Sequence, residues 1–195
     1  MNKTGAIGIP GFGWEVKIVD EGGLDVEDGD IGELCVRGAG VMDCYYNDEK
    51  ATNETLRDGW LFTGDMATRD GDGFIYLVDR KKDVIISGGE NIYPVQIEDF
   101  LSAFPAVNDV AVIGIPDKRL GEITLAIIEL KQGRDYNEDE VRREIIEFCE
   151  ELPRYKRPKR IEFHDVPRNP TGKIEKPLLR KMFGAADFIF AQNQG

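Results

Sequence analysis

Residues 79–94 read DRKKDVIISGGENIYP, and the pattern of the chain changes within this stretch. Five charged residues of both signs come first, an apolar triplet at 84–86 follows, and the glycine pair 88–89 precedes a proline at position 94. Proline is favoured in the first turn of a helix. The stretch therefore predicts a short strand, a glycine turn and the start of a helix, behind a charged run that is typical of a solvated linker.

The residues before this stretch have the pattern of a β-sheet. Segments 14–20, 33–37 and 74–79 alternate or cluster β-branched and aromatic side chains, and Gly/Asp-rich turn signals separate them. Residues 59–62 add an aromatic strand, which is expected to run into a tight turn that ends at Asp65. A β-rich subdomain over residues 1–79 is therefore predicted.

The residues after this stretch alternate strands with helices. One helical face is predicted to carry Ile97, Phe100, Leu101 and Phe104. Strands are expected over 109–115 and 122–131, and Asn137 is expected to cap a second helix. The buried stripe of that helix comprises Val141, Ile145, Cys149 and Leu152.

The C-terminal third completes this pattern. Residues 160–163 predict one more strand, and residues 174–183 predict a short final helix that Pro177 interrupts near its start. The fold class that follows is α+β, in which the β-rich subdomain precedes a compact α+β domain over residues 80–195. Residues 185–195 have no pattern from which structure can be predicted.

Charge and composition exclude several classes of protein. The chain has 41% hydrophobic residues, which is ordinary for a chain with a core, and a net charge of −12 from 25 basic and 37 acidic residues. This charge disfavours nucleic acid and anionic lipid as partners. Residues 152–182 are nevertheless basic, with 10 Lys and Arg against 3 Asp and Glu. A small phosphate-bearing ligand suits that segment better than a polymer does, and a solvated basic face is the alternative.

Cysteine and histidine usage argues against structural cross-links. Cys35, Cys44 and Cys149 are odd in number and lack metal-ligand spacing, and His164 is the single histidine. Neither a disulfide framework nor a metal site is expected. No apolar run approaches the roughly 18 residues of a transmembrane helix, so no transmembrane segment is expected either. A cytoplasmic location is predicted.

Asp65 and Arg80 are the first candidates for chemistry. A carboxylate at the end of the segment GWLFTGD (59–65) can accept hydrogen bonds from both hydroxyls of a vicinal diol such as a ribose. Arg80, in the charged run, can donate to ribose or phosphate oxygens, and the run itself can absorb the backbone change of a domain rotation. Taken alone, each pattern is more often structural.

Gly88, Gly89 and Lys173 are the remaining candidates. Because glycine has no Cβ, a backbone or a narrow chain-like ligand can approach Gly88 and Gly89 closely. Lys173 follows a Pro-Thr-Gly turn, where a lysine can neutralise charge that grows on a phosphoryl oxygen. The surrounding sequence is not a Walker P-loop. An ordinary glycine turn and an exposed turn lysine are the alternatives.

Five motifs occur in a fixed order along the chain: GAIGIPGFGWEVKIVD (5–20), GELCVRG (32–38), GWLFTGD (59–65), DRKKDVIISGGENIYPVQIED (79–99) and PRNPTGKIEK (167–176). This series strongly resembles the C-terminal part of the adenylate-forming enzymes, which include acyl-CoA synthetases. The resemblance covers about residues 5–183. The form SGGENIYP looks most like the medium- and long-chain fatty acyl-CoA ligases, a branch that also includes aryl-acid CoA ligases.

The resemblance implies a function and a role for each matched residue. Such enzymes activate a carboxylate with ATP to an acyl-adenylate, then rotate a small domain and transfer the acyl group to coenzyme A. By matched position, Asp65 and Arg80 bind the adenylate ribose, and Lys82 is the hinge. Lys173 matches the catalytic lysine of adenylation, whereas Gly88 and Gly89 match the segment that lines the pantetheine tunnel.

Other motifs of the family are not found in these 195 residues: the phosphate loop, the motif for adenine and magnesium, and the acyl pocket. We therefore expect a C-terminal fragment that is inactive alone and whose partner is an N-terminal adenylation domain, which binds most of the magnesium and selects the acid. Two other functions stay open. One is part of a carrier-loading adenylation domain, and the other is a non-catalytic binding module with this fold.

Overall fold

The computed structural model describes residues 3–133 and 135–184. The chain divides into two compact units, residues 1–82 and residues 83–195. The first unit consists mainly of β-strands, and the second mixes helices with a sheet, so the chain has the predicted α+β class. The functional boundary expected between residues 79 and 80 stays a prediction, three residues from this structural division.

One antiparallel sheet forms the first unit. Its strands are β1 (Ala6–Gly8), β2 (Trp14–Val19), β3 (Gly32–Gly38), β4 (Leu56–Arg57), β5 (Trp60–Arg69) and β6 (Ile75–Arg80). They lie in the order β1-β6-β5-β3-β2, and β4 pairs with β5. The predicted strands at 14–20, 33–37 and 74–79 are thus confirmed as β2, β3 and β6. Ile18, Leu34, Ala67 and Ile75 form the buried apolar cluster of this unit.

The first unit also contains a helix that the sequence does not predict. Helix α1 (Glu49–Thr55) begins after Asp48, whose side chain accepts a hydrogen bond from the Ala51 amide. None of its residues is buried, and so it lacks the apolar stripe by which helices are recognised. A 3-10 turn over Lys81–Asp83 follows β6.

The second unit begins with a hairpin. Strands β7 (Ile85–Ser87) and β8 (Glu90–Ile92) pair antiparallel, and helix α2 (Pro94–Ser102) follows. The expected short strand and Pro94 helix start are confirmed. The expectation that the glycine pair leads directly into the helix is wrong, because Gly88 and Gly89 connect two strands. Both glycines have positive φ, 61° and 90°, the conformation that a two-residue hairpin turn requires.

The rest of the second unit is built on a long hairpin. It comprises β9 (Val107–Asp117), β10 (Gly121–Leu130), α3 (Glu138–Phe148), β11 (Arg160–Phe163) and α4 (Lys176–Phe183). Strand β10 pairs antiparallel with β9 and parallel with β11. The Asn137 side chain caps α3 by accepting from the amides of residues 139 and 140, as expected. The final helix begins at Lys176, so Pro177 lies in its first turn and does not interrupt it.

Apolar side chains cover both faces of the β9–β10 hairpin. On one face, Val110, Val112, Ala126 and Ile128 pack with apolar residues of α2 and α3. The intervening residues Ala111, Ile113, Leu125 and Ile127 pack with Leu179 of α4 on the other. The predicted stripes are confirmed within the helices, since Ile97, Leu101, Val141 and Ile145 are all buried. Three of the remaining predicted members lie beyond the helix ends: Phe104 and Cys149, which are buried, and Leu152, which is partly buried.

Candidate functional site

Asp65 lies in an irregular segment within a strand. The expectation that the strand ends in a turn at Asp65 is wrong, because β5 continues from Trp60 to Arg69. Pairing with β3 moves from Cys35 opposite Phe62 to Glu33 opposite Met66, so β5 carries extra residues between these pairs. Gly64, at φ 73°, takes the left-handed conformation that such a bulge needs. The motif therefore bends the strand and lets it continue.

Hydrogen bonds from β3 hold this bulge in one shape. The Thr63 hydroxyl donates to the Leu34 carbonyl at 2.8 Å, and the Gly64 amide donates to Glu33 Oε1 at 3.1 Å. Glu33 is buried, and its second oxygen accepts from Lys81 Nζ at 2.7 Å. A buried carboxylate with two partners meets the requirement that a desolvated charge be compensated. Glu33 thus fixes the backbone immediately before Asp65.

Asp65 and Arg80 contact each other directly. They stand opposite in the β5–β6 register, and Arg80 Nε lies 2.9 Å from Asp65 Oδ1. Their side chains are 29% and 53% exposed. A carboxylate accepts several hydrogen bonds and a guanidinium has five donors, so each retains capacity for a ligand. An accessible carboxylate beside an arginine fits a ribose with an adjacent phosphate.

Lys82 and Asp83 have different surroundings. Lys82 is exposed in the 3-10 turn. Asp83 is buried and forms an ion pair with Arg180 of α4 at 2.8 Å. The expectation that the whole charged run is solvated is therefore wrong for Asp83, because the arginine compensates the loss of water around its carboxylate. The hinge role of Lys82 stays a prediction.

The glycine turn is accessible on one side. The Gly88 amide donates to the Leu120 carbonyl at 2.8 Å, and a Cβ on Gly88 would lie 3.1 Å from a Leu120 methyl carbon. A Cβ on Gly89 would meet no atom within 4 Å. The turn thus packs on the β9–β10 connection through Gly88, while Gly89 has the open space that a narrow ligand needs.

Lys173 lies on a loop with a well-defined backbone. Asn169 Oδ1 accepts from the amides of Thr171 at 3.0 Å and Lys173 at 2.9 Å. The Arg168 guanidinium bonds both carboxylate oxygens of Asp109 and the Gly172 carbonyl. The Lys173 side chain is exposed and forms no ion pair with any residue in the described ranges. It can therefore reach a ligand.

The two candidate features of the second unit lie at opposite ends of one hairpin. The lysine loop is bonded to Asp109, near the start of β9, whereas the glycine turn contacts Leu120, just beyond the end of β9. Asp109 and Asp117 are eight residues apart in this strand, which is about 26 Å at 3.3 Å per residue. The structure thus brings Asp65 together with Arg80, and it keeps Lys173 apart from Gly88 and Gly89.

The sequence alone did not predict a role for Glu33, Asp109 or Arg168. Glu33 lies within the motif GELCVRG, which offered a signal for it. Asp109 and Arg168 are 59 residues apart and have no mutual spacing signal. The hydrogen bonds with Asp109 raise the pKa of Arg168, which stays charged.

Among the described residues, no group of three or more His, Cys, Asp or Glu side chains could hold a metal ion. The three cysteines are free thiols. No helix in residues 3–133 or 135–184 is long and apolar enough to cross a membrane.

Two family models match the chain. Residues 96–173 match the AMP-binding enzyme C-terminal domain, and residues 1–46 match the AMP-binding enzyme model. The first match contains Lys173, and the second contains β1 to β3.

Proteins similar to the chain include a feruloyl-CoA synthase of an Amycolatopsis species, 44% identical over 93% of this chain and 37% of the relative. A long-chain-fatty-acid–CoA ligase of Mycobacterium tuberculosis is 40% identical over 95% and 36%. A solved structure of o-succinylbenzoate CoA synthetase from Bacillus subtilis, in complex with its acyl-adenylate intermediate, matches at a TM-score of 0.81 with 37% identity. It is covered over 36% of its length, and this chain over 91%. The chain thus spans little more than a third of the relatives it matches.

Proposed function

We propose, from the premise that this chain belongs to the adenylate-forming acyl-CoA synthetases and corresponds to their C-terminal part, that it supplies the mobile catalytic portion of an acid–CoA ligase. The complete ligase would convert a carboxylic acid and ATP to acyl-AMP and pyrophosphate, and then acyl-AMP and coenzyme A to acyl-CoA and AMP. A fatty acid is the proposed acid, with an aryl acid as the alternative, because SGGENIYP resembles the branch that includes both kinds of ligase. The N-terminal adenylation domain is the proposed partner.

One observation carries this proposal: the exposed Lys173 and the open Gly89 lie at opposite ends of the β9–β10 hairpin. Strand β9 is buried over most of its length and β10 over the five residues 124–128, so this hairpin is expected to move as a rigid body. The two features contact opposite ends of a rigid strand, in which Asp109 and Asp117 are about 26 Å apart, so they cannot serve one small reaction centre at the same moment. A ligase with two successive half-reactions can use them in turn, if the unit rotates between the steps.

Lys173 acts in the first half-reaction. A carboxylate oxygen of the acid attacks the α-phosphorus of ATP, and the bond to pyrophosphate breaks as the new P–O bond forms. The Lys173 ammonium stabilises the negative charge that develops on the α-phosphoryl oxygens, and it keeps its proton throughout. Asp65 and Arg80 bind the ribose and hold the nucleotide in position. Magnesium, held mainly by residues of the N-terminal domain, would offset triphosphate charge.

Gly88 and Gly89 act in the second half-reaction. The thiol of coenzyme A gives up its proton and attacks the acyl carbonyl carbon, and AMP leaves with the electron pair of the broken C–O bond. The space beside Gly89 accepts the narrow pantetheine chain. Lys82 is the proposed pivot between the two arrangements. The cytoplasmic location stays a prediction.

The test is to replace Lys173 by Ala in the complete ligase and to measure the half-reactions separately. Pyrophosphate release from ATP and acid should fall by about 10²–10³-fold, which is typical for loss of one group that stabilises transition-state charge. Acyl-CoA formation from supplied acyl-AMP should stay within about twofold of the parent enzyme. Lys181→Ala, which removes another exposed lysine of the same unit, is the control and should change neither rate.

The alternatives give different results in the same assays. A carrier-loading enzyme would transfer the acyl group to a carrier-protein thiol and leave coenzyme A unmodified. A non-catalytic module would leave both rates unaffected by Lys173→Ala. Equal loss of both half-reactions in this variant would refute the role of Lys173. The 195 residues alone should release no pyrophosphate, and release by them would contradict the proposed need for a partner.

A further inference from the structure

The peptide group between Gly172 and Lys173 is held at both of its polar atoms. Its carbonyl oxygen accepts from Arg168 Nη1 at 2.6 Å, and its N–H donates to Asn169 Oδ1 at 2.9 Å. A peptide unit is planar, so fixing both atoms fixes its orientation. That orientation sets the direction of the Cα–Cβ bond from which the Lys173 side chain extends.

Arg168 connects this peptide group to the sheet. Its Nε and Nη2 atoms donate to the two carboxylate oxygens of Asp109, at 2.7 and 2.9 Å, while Nη1 bonds the Gly172 carbonyl. Parallel bonds between a guanidinium and a carboxylate are strong and fix the plane of the arginine. Asp109 belongs to β9, whose following residues, Val110 to Ile115, are fully buried. The loop is therefore attached to a rigid part of the unit.

A second pair anchors the chain just after the loop. Lys176 Nζ lies 2.8 Å from Glu98 Oε1, and both side chains are nearly buried. The Glu98 carboxylate also accepts from the Val112 amide of β9 at 2.7 Å. Chain segments on both sides of Lys173 are thus tied to the same strand. Gly172, at φ 82°, completes the turn between them.

We propose that Arg168 is a positioning residue for Lys173: through its fork to Asp109 it fixes the Gly172–Lys173 peptide group, so that the lysine ammonium reaches its target without first ordering the loop. Arg168 itself does not touch the reacting atoms. The inference rests on the proposed function of Lys173. Its structural half, that Arg168 holds the loop, is independent of any enzymatic activity.

The first experiment measures hydrogen exchange in the 195-residue chain. Arg168→Gln should speed amide exchange in peptides covering residues 169–175 by about tenfold or more, because the loop loses its attachment to Asp109. Exchange over β9 and β10 should stay slow, which verifies that the unit is folded. Arg37→Gln is the matched control, since Arg37 is also 44% exposed in a bidentate pair with a glutamate. It should not change exchange in the loop.

The second experiment measures the half-reactions in the complete ligase. Arg168→Gln should lower the rate of pyrophosphate release by about 10- to 100-fold, less than Lys173→Ala, because the lysine is still present but misplaced. The KM for ATP should change little. Arg168→Lys should recover part of the loss, since it can bond either Asp109 or Gly172 but cannot form the fork. Thioester formation from supplied acyl-AMP should be unchanged.

Each outcome decides the inference. Unchanged amide exchange in the loop of the Arg168→Gln variant overturns the inference. Faster exchange in this variant also overturns it if adenylation activity stays full while the Lys173→Ala variant is inactive. If Lys173→Ala is itself fully active, the proposed function fails, and faster exchange then supports only the structural half. Should Arg168→Gln not fold, Asp109→Asn provides the second test. It weakens the fork from the other side and should give the same two effects at smaller size.

Discussion

The two units of the chain bury very different amounts of apolar side chain. The first has a single cluster of four buried residues on its sheet, counted over the described residues. The second has clusters of fifteen and seven such residues on the two faces of its sheet. The first unit also has partly exposed ion pairs, such as Lys3 with Asp70, whereas both members of the Lys176–Glu98 pair in the second unit are nearly buried. The proposed nucleotide-binding group thus lies in the unit with the small core, and the proposed catalytic lysine in the one with the large cores.

The largest expected effect comes from separating the units. Residues 83–195 expressed alone should unfold in urea with one cooperative transition, because they contain both large clusters. Residues 1–82 alone should show no such transition, since the gain from burying six apolar side chains, the four of the cluster together with Val19 and Cys35, falls short of the conformational entropy lost on ordering that length of chain. Circular dichroism with urea titration is the measurement. Cooperative transitions with the same urea midpoint in both pieces would contradict the expected difference in stability between the two units.

Single substitutions compare the two units through the stability that is lost when one partner of an ion pair is removed. Glu98→Ala leaves the charge of Lys176 nearly buried and unpaired, and we expect a loss of about 3–5 kcal/mol in the free energy of unfolding. Glu15→Ala removes the partner of Arg37 in the first unit, where both side chains are largely exposed. This variant should hardly move the urea midpoint. Similar losses in the two variants would contradict the interpretation.

Thiol labelling compares the units within the intact chain. Burial raises the pKa of both Cys35 and Cys149 to about 11, so that both thiols need an opening of their unit before they react. Cys44 is exposed and should react at once at pH 8. Cys35, in the first unit, should then react about tenfold faster than Cys149. Mass spectrometry of a labelling time course, with Cys44→Ser to remove the fast site, gives the two rates.

The smallest expected effect concerns pH. A hydrogen bond from Lys3 lowers the pKa of Asp70 to about 2, below its value near 4 in an unfolded chain. The stabilisation from this carboxylate is therefore complete above about pH 4 and is lost as pH falls through about 2. Asp70→Asn should lower the urea midpoint of the first unit at pH 5, and the difference from the parent should shrink towards pH 2.

Tryptophan fluorescence is suited to that titration, because Trp14 and Trp60 are the two tryptophans of the chain and both lie in the first unit. Asp30→Asn, which changes another exposed aspartate of the first unit, is the control and should leave the urea midpoint unchanged. A difference of the same size at pH 2 and pH 5 would mean that the Lys3 contact does not contribute.

The sequence predicted the second unit better than the first. Helices α2 and α3 have apolar stripes that pack on the sheet, so local pattern and tertiary structure agree there. Helix α1 buries nothing, and the bulge at Gly64 depends on pairing with a strand some 30 residues away, so neither leaves a local periodic signal. The hairpin at Gly88 and Gly89 was missed because β8 has only three residues.

The candidate site was predictable where the chain itself carries the pattern. Asp65 and Lys173 belong to motifs that can be recognised without a structure. The residues that hold them cannot be recognised in this way, because the Arg168–Asp109 and Lys176–Glu98 pairs join segments that are distant in sequence. These pairs form because distant segments of the chain pack near β9. The periodicity of the sequence does not reveal that packing.

Asp83 is the first residue of the second unit, and its buried carboxylate is bonded to Arg180 in the last helix described. The first residue of this unit is therefore joined to the last helix that the structure describes. In a swivel of the kind proposed, unwinding the chain beyond Asp83 would separate a buried carboxylate from its arginine, which is costly, so we expect the backbone change to occur in the exposed residues 80–82 that precede it.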